Sequence, residues 1–183
     1  MPLKLETDRL ILRQWQDNDY EPFAHMTADS DVMRYFPNCL SVRESNQLAD
    51  RLRAMIAQKG WGFWAVELKE TQSFIGFVGL NEVTHSAIPV TPFIEVGWRL
   101  AKEHWRQGYA TEAAQKALEF GFDTLASSSI YAFTPLSNTP SQKVMQKLGM
   151  SNTQQDFDHP EVPNTHSLAR HCLYKIEAPK KAL

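Results

Sequence analysis

Cysteine is scarce. The two in this 183-residue chain, Cys39 and Cys172, stand too far apart for a disulfide framework or a thiolate metal site. Both are expected as buried thiols in a reducing compartment. An excess of either charge is also missing. The formal net charge is −2, so neither a nucleic acid nor an anionic membrane is indicated as a partner, and any basic site must be local. No apolar run reaches the length of a membrane span. The N-terminus lacks the charged start and apolar stretch of a signal peptide, and the cytoplasm is the expected location. Internal repeats, low-complexity tracts and linkers are absent. So are two phosphate-binding signatures, Gly-x-x-x-x-Gly-Lys-Ser/Thr and Gly-x-Gly-x-x-Gly.

What is present is ordinary globular composition, 43% hydrophobic and 22% charged. It suits one mixed α/β domain over residues 1–183, with a Lys-rich tail that frays after about residue 177. Leu10 to Trp15 reads as a first strand. Asp17 is placed to cap a short helix carrying Tyr20, Phe23 and Met26, and Val32 to Phe36 as a second helical piece ended by Pro37. Ser41-Val42-Arg43-Glu44 has the form of a capping box. Behind it Leu48, Leu52, Met55 and Ile56 share a helical face, and Gly60 is the stop. Strands are expected at Trp61 to Leu68, Phe74 to Leu80 and Phe93 to Leu100, with a loop from Asn81 to Pro92. Ile130 to Thr134 is a fifth strand. Thr139-Pro140 is an N-cap followed by proline, opening a helix that runs to Leu148. Met150 to Phe157 and Leu168 to Ile176 are the remaining strand candidates.

The densest chemistry lies between the third of these strands and a long helix. There Ala110, Ala113, Ala114, Ala117, Leu118, Gly121 and Phe122 recur at helical spacing. Trp105-Arg106-Gln107-Gly108-Tyr109-Ala110-Thr111 joins strand to helix. A helix entered through such a turn points unpaired N–H groups and the positive end of its dipole at whatever lies above it, and phosphate suits that end. On local features alone a helix that simply starts at a glycine is the favoured reading of the stretch.

Trp-Arg-Gln-Gly-Tyr-Ala-Thr-Glu-Ala resembles the pyrophosphate loop of the GNAT family of N-acetyltransferases, most of all the branch that acetylates the N-termini of ribosomal proteins. The family pattern is Gln/Arg-x-x-Gly-x-Gly/Ala. Gly108 and Ala110 match it, and Trp105 replaces the first Gln/Arg. Leu5-Glu6-Thr7-Asp8-Arg9-Leu10 resembles the family's opening. Ser137-Asn138-Thr139-Pro140-Ser141 with Lys147-Leu148-Gly149-Met150 resembles its second cofactor element. The resemblance implies a mostly antiparallel sheet of about six or seven strands, flanked by helices, with one parallel pair splayed apart. It implies acetyl-CoA as co-substrate and no metal. Arg106, Gln107, Gly108, Tyr109, Ala110 and Thr111 would hold the pyrophosphate. Trp98 and Leu100 would pair the pantetheine amides along a free strand edge, and Asn138 would touch the same arm. An Asn before Pro140 is equally explained as a helix cap.

The reaction implied is direct attack of a primary amine on the thioester. An α-amino group with a pKa of about 7.7–8.0 needs only about 1 kcal/mol to be neutral at pH 7, and a lysine side chain about 4.6 kcal/mol. Glu95, between Ile94 and Val96, is the candidate base, provided that burial raises its pKa. A glutamate on the solvated face of the strand is the plain alternative, and Glu82 is the second candidate. Ser141 is the candidate acid for the departing thiolate, though a first-turn serine needs no such role. His159, His166 and His171 match no zinc spacing and are expected on the surface or in loops, with His166 or His171 as possible lining of an acceptor pocket. Trp61, Trp64, Phe36 and Phe77 are expected in the core, an exposed member of the set being placed to shape that pocket. The acceptor would be a protein N-terminus or a small amine. A CoA-binding sensor without turnover and a purely structural α/β domain are the rival classes, and monomer and homodimer both remain open.

Overall fold

A computed structural model describes residues 4–180. One sheet runs through it in the order β1-β2-β3-β4-β5-β6-β9-β7, with β8 also paired to β9. The strands are β1 (Leu5–Glu6), β2 (Leu10–Arg13), β3 (Phe63–Leu68), β4 (Phe74–Val83), β5 (Phe93–Leu100), β6 (Ser129–Pro135), β7 (Ser151–Asn152), β8 (Phe157–Asp158) and β9 (Arg170–Glu177). Six of the nine have four residues or more, the long strands that composition and pattern predict. The helices are α1 (Tyr20–Ala28), α2 (Val42–Lys59), α3 (Tyr109–Asp123) and α4 (Thr139–Lys147).

Local chemistry sets most of these bounds. Ser41 Oγ accepts from the Glu44 amide, and the Glu44 carboxylate accepts in turn from the Ser41 amide, so both ends of the capping box close. Gly60 ends α2 in the left-handed region. Several expectations shift. Val32 to Phe36 forms turns and not helix. Asp17 does not cap α1; it pairs with Arg53, while Asp19 accepts from the Gln16 amide. Met150 to Phe157 yields only the two-residue strands β7 and β8. Cys172 is buried as expected, but Cys39 is exposed in the loop before α2. The tail beyond residue 180 lies outside the described residues.

The sheet separates two apolar layers. On one face Trp15, Phe23, Phe74 and Phe77 pack edge to face or tilted beneath α1 and α2, with ring centroids 5.0–6.4 Å apart. Trp15 Nε1 donates to the Phe63 carbonyl at 2.9 Å, which satisfies the only polar atom of a side chain that is otherwise fully buried. On the other face α3 lays Ala113, Ala114, Ala117 and Leu118 against the sheet, with Phe120 at right angles to Trp64. Small side chains along that stripe let the helix approach closely. A Cβ at Gly121 would lie 2.5 Å from Ile130 Cδ1.

Every neighbouring pair is antiparallel except β5 and β6. That pair is parallel and is joined only at Ile94↔Ile130 and Glu95↔Tyr131. On its other side β5 is paired with β4 along its whole length, from Phe93 to Leu100. From Val96 to Leu100, therefore, β5 has a ladder on one edge and a gap in the ladder, with no paired residue, on the other.

Candidate active site

The gap leads toward the start of α3. Gly108 precedes the helix with φ 83, in the left-handed region, and no side chain caps the first turn. Arg106, two residues earlier, also has a positive φ of 60. Alternation of this kind turns successive amides toward one side of the chain. Glu112 N–H closes the first helical turn on the Gly108 carbonyl. Among the described residues no acceptor is found for the amides from Arg106 to Thr111. The turn is exposed from Trp105 to Gly108, and Tyr109 to Thr111 are half-buried.

The turn is braced from two directions. Trp105 Nε1 donates to the Leu100 carbonyl at 2.8 Å, fixing the exit of β5. Arg9 does more. Its Nη1 donates to the Gln107 carbonyl at 3.0 Å, and its Nε and Nη2 reach the Glu112 carboxylate, each at 2.7 Å. The guanidinium also lies 4.4 Å from the Tyr109 ring centre. Thr7 Oγ1 donates to the same carboxylate at 2.6 Å. The Thr7-Asp8-Arg9 segment thus holds the turn, and it keeps the Glu112 charge occupied at the helix end where an anion would otherwise be repelled. Arg9 was not among the expected site residues. Its partner is 103 residues away, and nothing local signals the contact.

Glu95 projects from β5 at the last paired step before the gap. It is half-buried, and Asn81 Nδ2 donates to its carboxylate at 3.0 Å. Burial dominates over that hydrogen bond and raises its pKa to about 7. Glu82, the second candidate, is exposed and bound to Lys59 at 3.0 Å. The two glutamates are adjacent to the same loop; Glu82 is turned to Lys59 in solvent, and Glu95 is held near the neutral point.

At the first turn of α4 the cap is Asn138 and not Thr139. Its Oδ1 accepts from the Ser141 amide, and its Nδ2 donates to Thr134 Oγ1 at 2.8 Å and to Ser141 Oγ at 3.1 Å. The side chain is buried and fully used in this way. Ser141 Oγ accepts one bond from Asn138 and keeps its own proton for another partner. Beyond β6, His171 is buried in β9, not on the surface. Burial pushes its pKa down to about 4, so it is neutral, and its ring lies 4.9 Å from that of His159 and 6.2 Å from that of Phe133. Of the four aromatics named from sequence, Trp64 and Phe77 are core, Trp61 is half-buried, and Phe36 is exposed.

A parted parallel pair followed by an uncapped helix start matches a known architecture. Residues 9–151 match the acetyltransferase (GNAT) domain. The chain belongs to the GNAT family of N-acetyltransferases. It is 32% identical over 147 residues to an uncharacterised N-acetyltransferase, YoaA, of Bacillus subtilis, covering 79% of this chain and 81% of YoaA. Its fold superimposes on a GNAT-family acetyltransferase from Bacillus anthracis with a TM-score of 0.80 at 25% identity, covering 96% and 99% of the two chains. It also superimposes on Mycobacterium smegmatis RimJ in complex with CoA-disulfide, with a TM-score of 0.74 at 20% identity over 97% and 88% of the chains. The GNAT protein is thus an N-acetyltransferase in a mixed α/β fold with one parallel splayed pair. Among the described residues there is no group of three His, Cys, Asp or Glu positioned to hold a metal. No helix among them is long and apolar enough to cross a membrane.

Proposed function

We propose that this GNAT protein transfers an acetyl group from acetyl-CoA to a primary amine in the cytoplasm, with the N-terminal amine of a protein, such as a ribosomal protein, as acceptor. The observation that carries the reading is the set of unoccupied amides from Arg106 to Thr111, directly beyond a strand whose free edge begins at Val96. Such an end is a seat for a pyrophosphate. Gln107, Gly108, Tyr109, Ala110 and Thr111 supply N–H groups, and the Arg106 side chain is exposed beside them. The backbone of Trp98 and Leu100 offers the pantetheine amides a strand edge. Asn138 acts by holding Ser141, since its own polar atoms are already engaged.

Glu95 takes the proton from the ammonium form of the acceptor, directly or through a water, and a pKa of about 7 suits that task at neutral pH. The amine lone pair attacks the thioester carbonyl, a C–N bond forms, and the C–S bond breaks. Ser141 donates its hydroxyl proton to the departing thiolate; the acetylated nitrogen sheds its remaining ammonium proton to solvent as the amide forms, and solvent reprotonates Ser141. An α-amine asks little of the base, because its neutral form lies only about 1 kcal/mol uphill at pH 7. A single half-buried carboxylate therefore suffices for an N-terminal acceptor.

The test is a titration of acetyl-CoA followed by thiol release with a panel of N-terminal peptides, lysine-containing peptides with blocked ends, and small amines. Binding with release on N-terminal peptides supports the reading. Release only with small amines reassigns the acceptor, binding without any release leaves a CoA sensor, and absence of binding removes the proposal altogether.

A further inference from the structure

Four residues beyond Glu95, on the same strand, lies a cation that no group among the described residues neutralises. Alternate residues of a strand share a face, so Glu95, Gly97 and Arg99 project together toward the layer that holds α1 and α2. Arg99 pairs in register with Phe77. Its Nε and Nη1 are both buried, and neither has a hydrogen-bond partner among the described residues. No carboxylate acts on it either; desolvation alone pulls its pKa down to about 10. Two rings hold the group in place. The guanidinium carbon lies 3.9 Å from the Phe36 ring centre and 5.3 Å from that of Phe77. Aromatic faces attract the charge but accept none of its N–H bonds. Phe36 is exposed, 39% of its surface remaining open, so the lid over Arg99 is a side chain that a ligand can reach.

Burying an unpaired cation is costly, and such a group in a native structure calls for an explanation, of which a ligand is one. The other arginine buried near this face shows the alternative. Arg13 is engaged by Asp19 and Glu67, with contacts of 2.6–2.9 Å. Between Glu95 and Arg99 this face of the strand carries only Gly97, whose backbone is covered by the half-buried Phe63 ring. A Cβ there would lie 3.0 Å from Phe63 Cε1. The face therefore reads, along one strand, as a base near neutrality, an apolar strip, and a fork of free donors.

We infer that Arg99 is the specificity determinant for an acceptor that carries a carboxylate as well as its amine. The carboxylate docks on the Arg99 guanidinium while the amine meets Glu95. The inference rests on the acetyl-transfer reading for the amine, but the anion site can be measured without turnover. Two sources supply this chemistry: the α-carboxylate of a free amino acid, or an acidic side chain near the N-terminus of a peptide.

The test uses wild type, Arg99→Met and Arg99→Lys with two matched pairs, alanine against alaninamide, and Ala-Glu-Ala amide against Ala-Gln-Ala amide. In wild type the carboxylate-bearing member of one pair is expected to have a kcat/KM at least about tenfold higher, the scale of one charge-assisted contact. Which pair shows it identifies the source. The preference falls to parity in Arg99→Met and returns in part in Arg99→Lys, with the KM for acetyl-CoA unchanged in all three. Parity in both wild-type pairs, a preference that survives in Arg99→Met, or a change confined to acetyl-CoA overturns the assignment. A thermal-shift series with the N-acetylated peptides and CoA-saturated protein reads the same contact when no thiol is released. A higher Tm for the acidic peptide in wild type and not in Arg99→Met supports the site even where acetyl transfer fails. Equal shifts within both pairs, with N-acetylalanine against N-acetylalaninamide run beside the peptides, reject it.

Discussion

Two parts of the sheet treat their backbone in opposite ways. From β2 to β5 every long strand is laddered to its neighbour, and the helix that serves this part, α2, begins with a closed capping box. At the β5–β6 seam the ladder stops after two pairs, and α3 begins with no cap. A closed cap stabilises a helix by about 1 kcal/mol, and each backbone group left open forgoes comparable stabilisation. Open groups cluster at one place, beside the raised carboxyl of Glu95. Their grouping marks where a ligand replaces what the chain leaves unmade.

The contrast can be broken most severely at Gly108. Its φ of 83 is one that β-branched residues avoid, and a Cβ there would lie 3.3 Å from Arg9 Nη2. Gly108→Val is expected to weaken acetyl-CoA binding by about 100-fold in calorimetry, and an unchanged Kd would mean that the amides do not form the seat. Next is Glu95→Gln. Wild-type kcat/KM is expected to climb through a limb near pH 7, where Glu95 loses its proton. The variant loses that limb and about 10–100-fold in kcat, with CoA affinity retained. A retained limb assigns the base elsewhere. The same group leaves a mark on folding. Its folded pKa is raised, so between the ordinary carboxylate range and about 7 the unfolded chain has released the proton while the folded chain keeps it. Stability therefore falls as pH rises through that window, by up to about 3 kcal/mol, and Gln flattens the dependence.

Arg9→Ala frees the turn from its clamp. The expected effect is a KM for acetyl-CoA raised by about tenfold, with a loss of about 1 kcal/mol in stability because the ion pair is half exposed. A change in kcat alone would place Arg9 outside the binding of acetyl-CoA. Smallest is Ser41→Ala in the closed part. It is expected to lower unfolding stability by about 1 kcal/mol in denaturant melts and to leave CoA affinity untouched. Any loss of affinity there would blur the division between closed and open backbone.

The elements most visible from sequence were those whose signal is local. The Ser41 to Gly60 helix carries its own start and stop, and β5 was bounded at Phe93 and Leu100, as found. The unpaired α3 start was legible as a type, since a glycine turn into an alanine-rich stripe determines where amides point. The splay was not: nothing in Val96 to Leu100 says that β6 turns away, and only the family likeness implied it. Asn138 was ambiguous for a real reason, because the residue that caps α4 also sits beside Ser141. Arg9 and Arg99 were missed altogether. The first is defined by a carboxylate 103 positions on. The second is defined by what it lacks, and that depends on Phe36 and Phe77 arriving from separate elements.

The Arg9–Glu112 tie also constrains the order in which the molecule is assembled. A contact that closes a loop of this span is entropically expensive and forms late relative to local helices and hairpins. In refolding, the far-UV signal of α2 and α3 should therefore appear before the chain can quench or bind a fluorescent CoA analogue. Competence for the co-substrate then reports the docking of the first strand, and a protein that has every helix in place but a loose N-terminal strand would be folded by circular dichroism and silent by ligand.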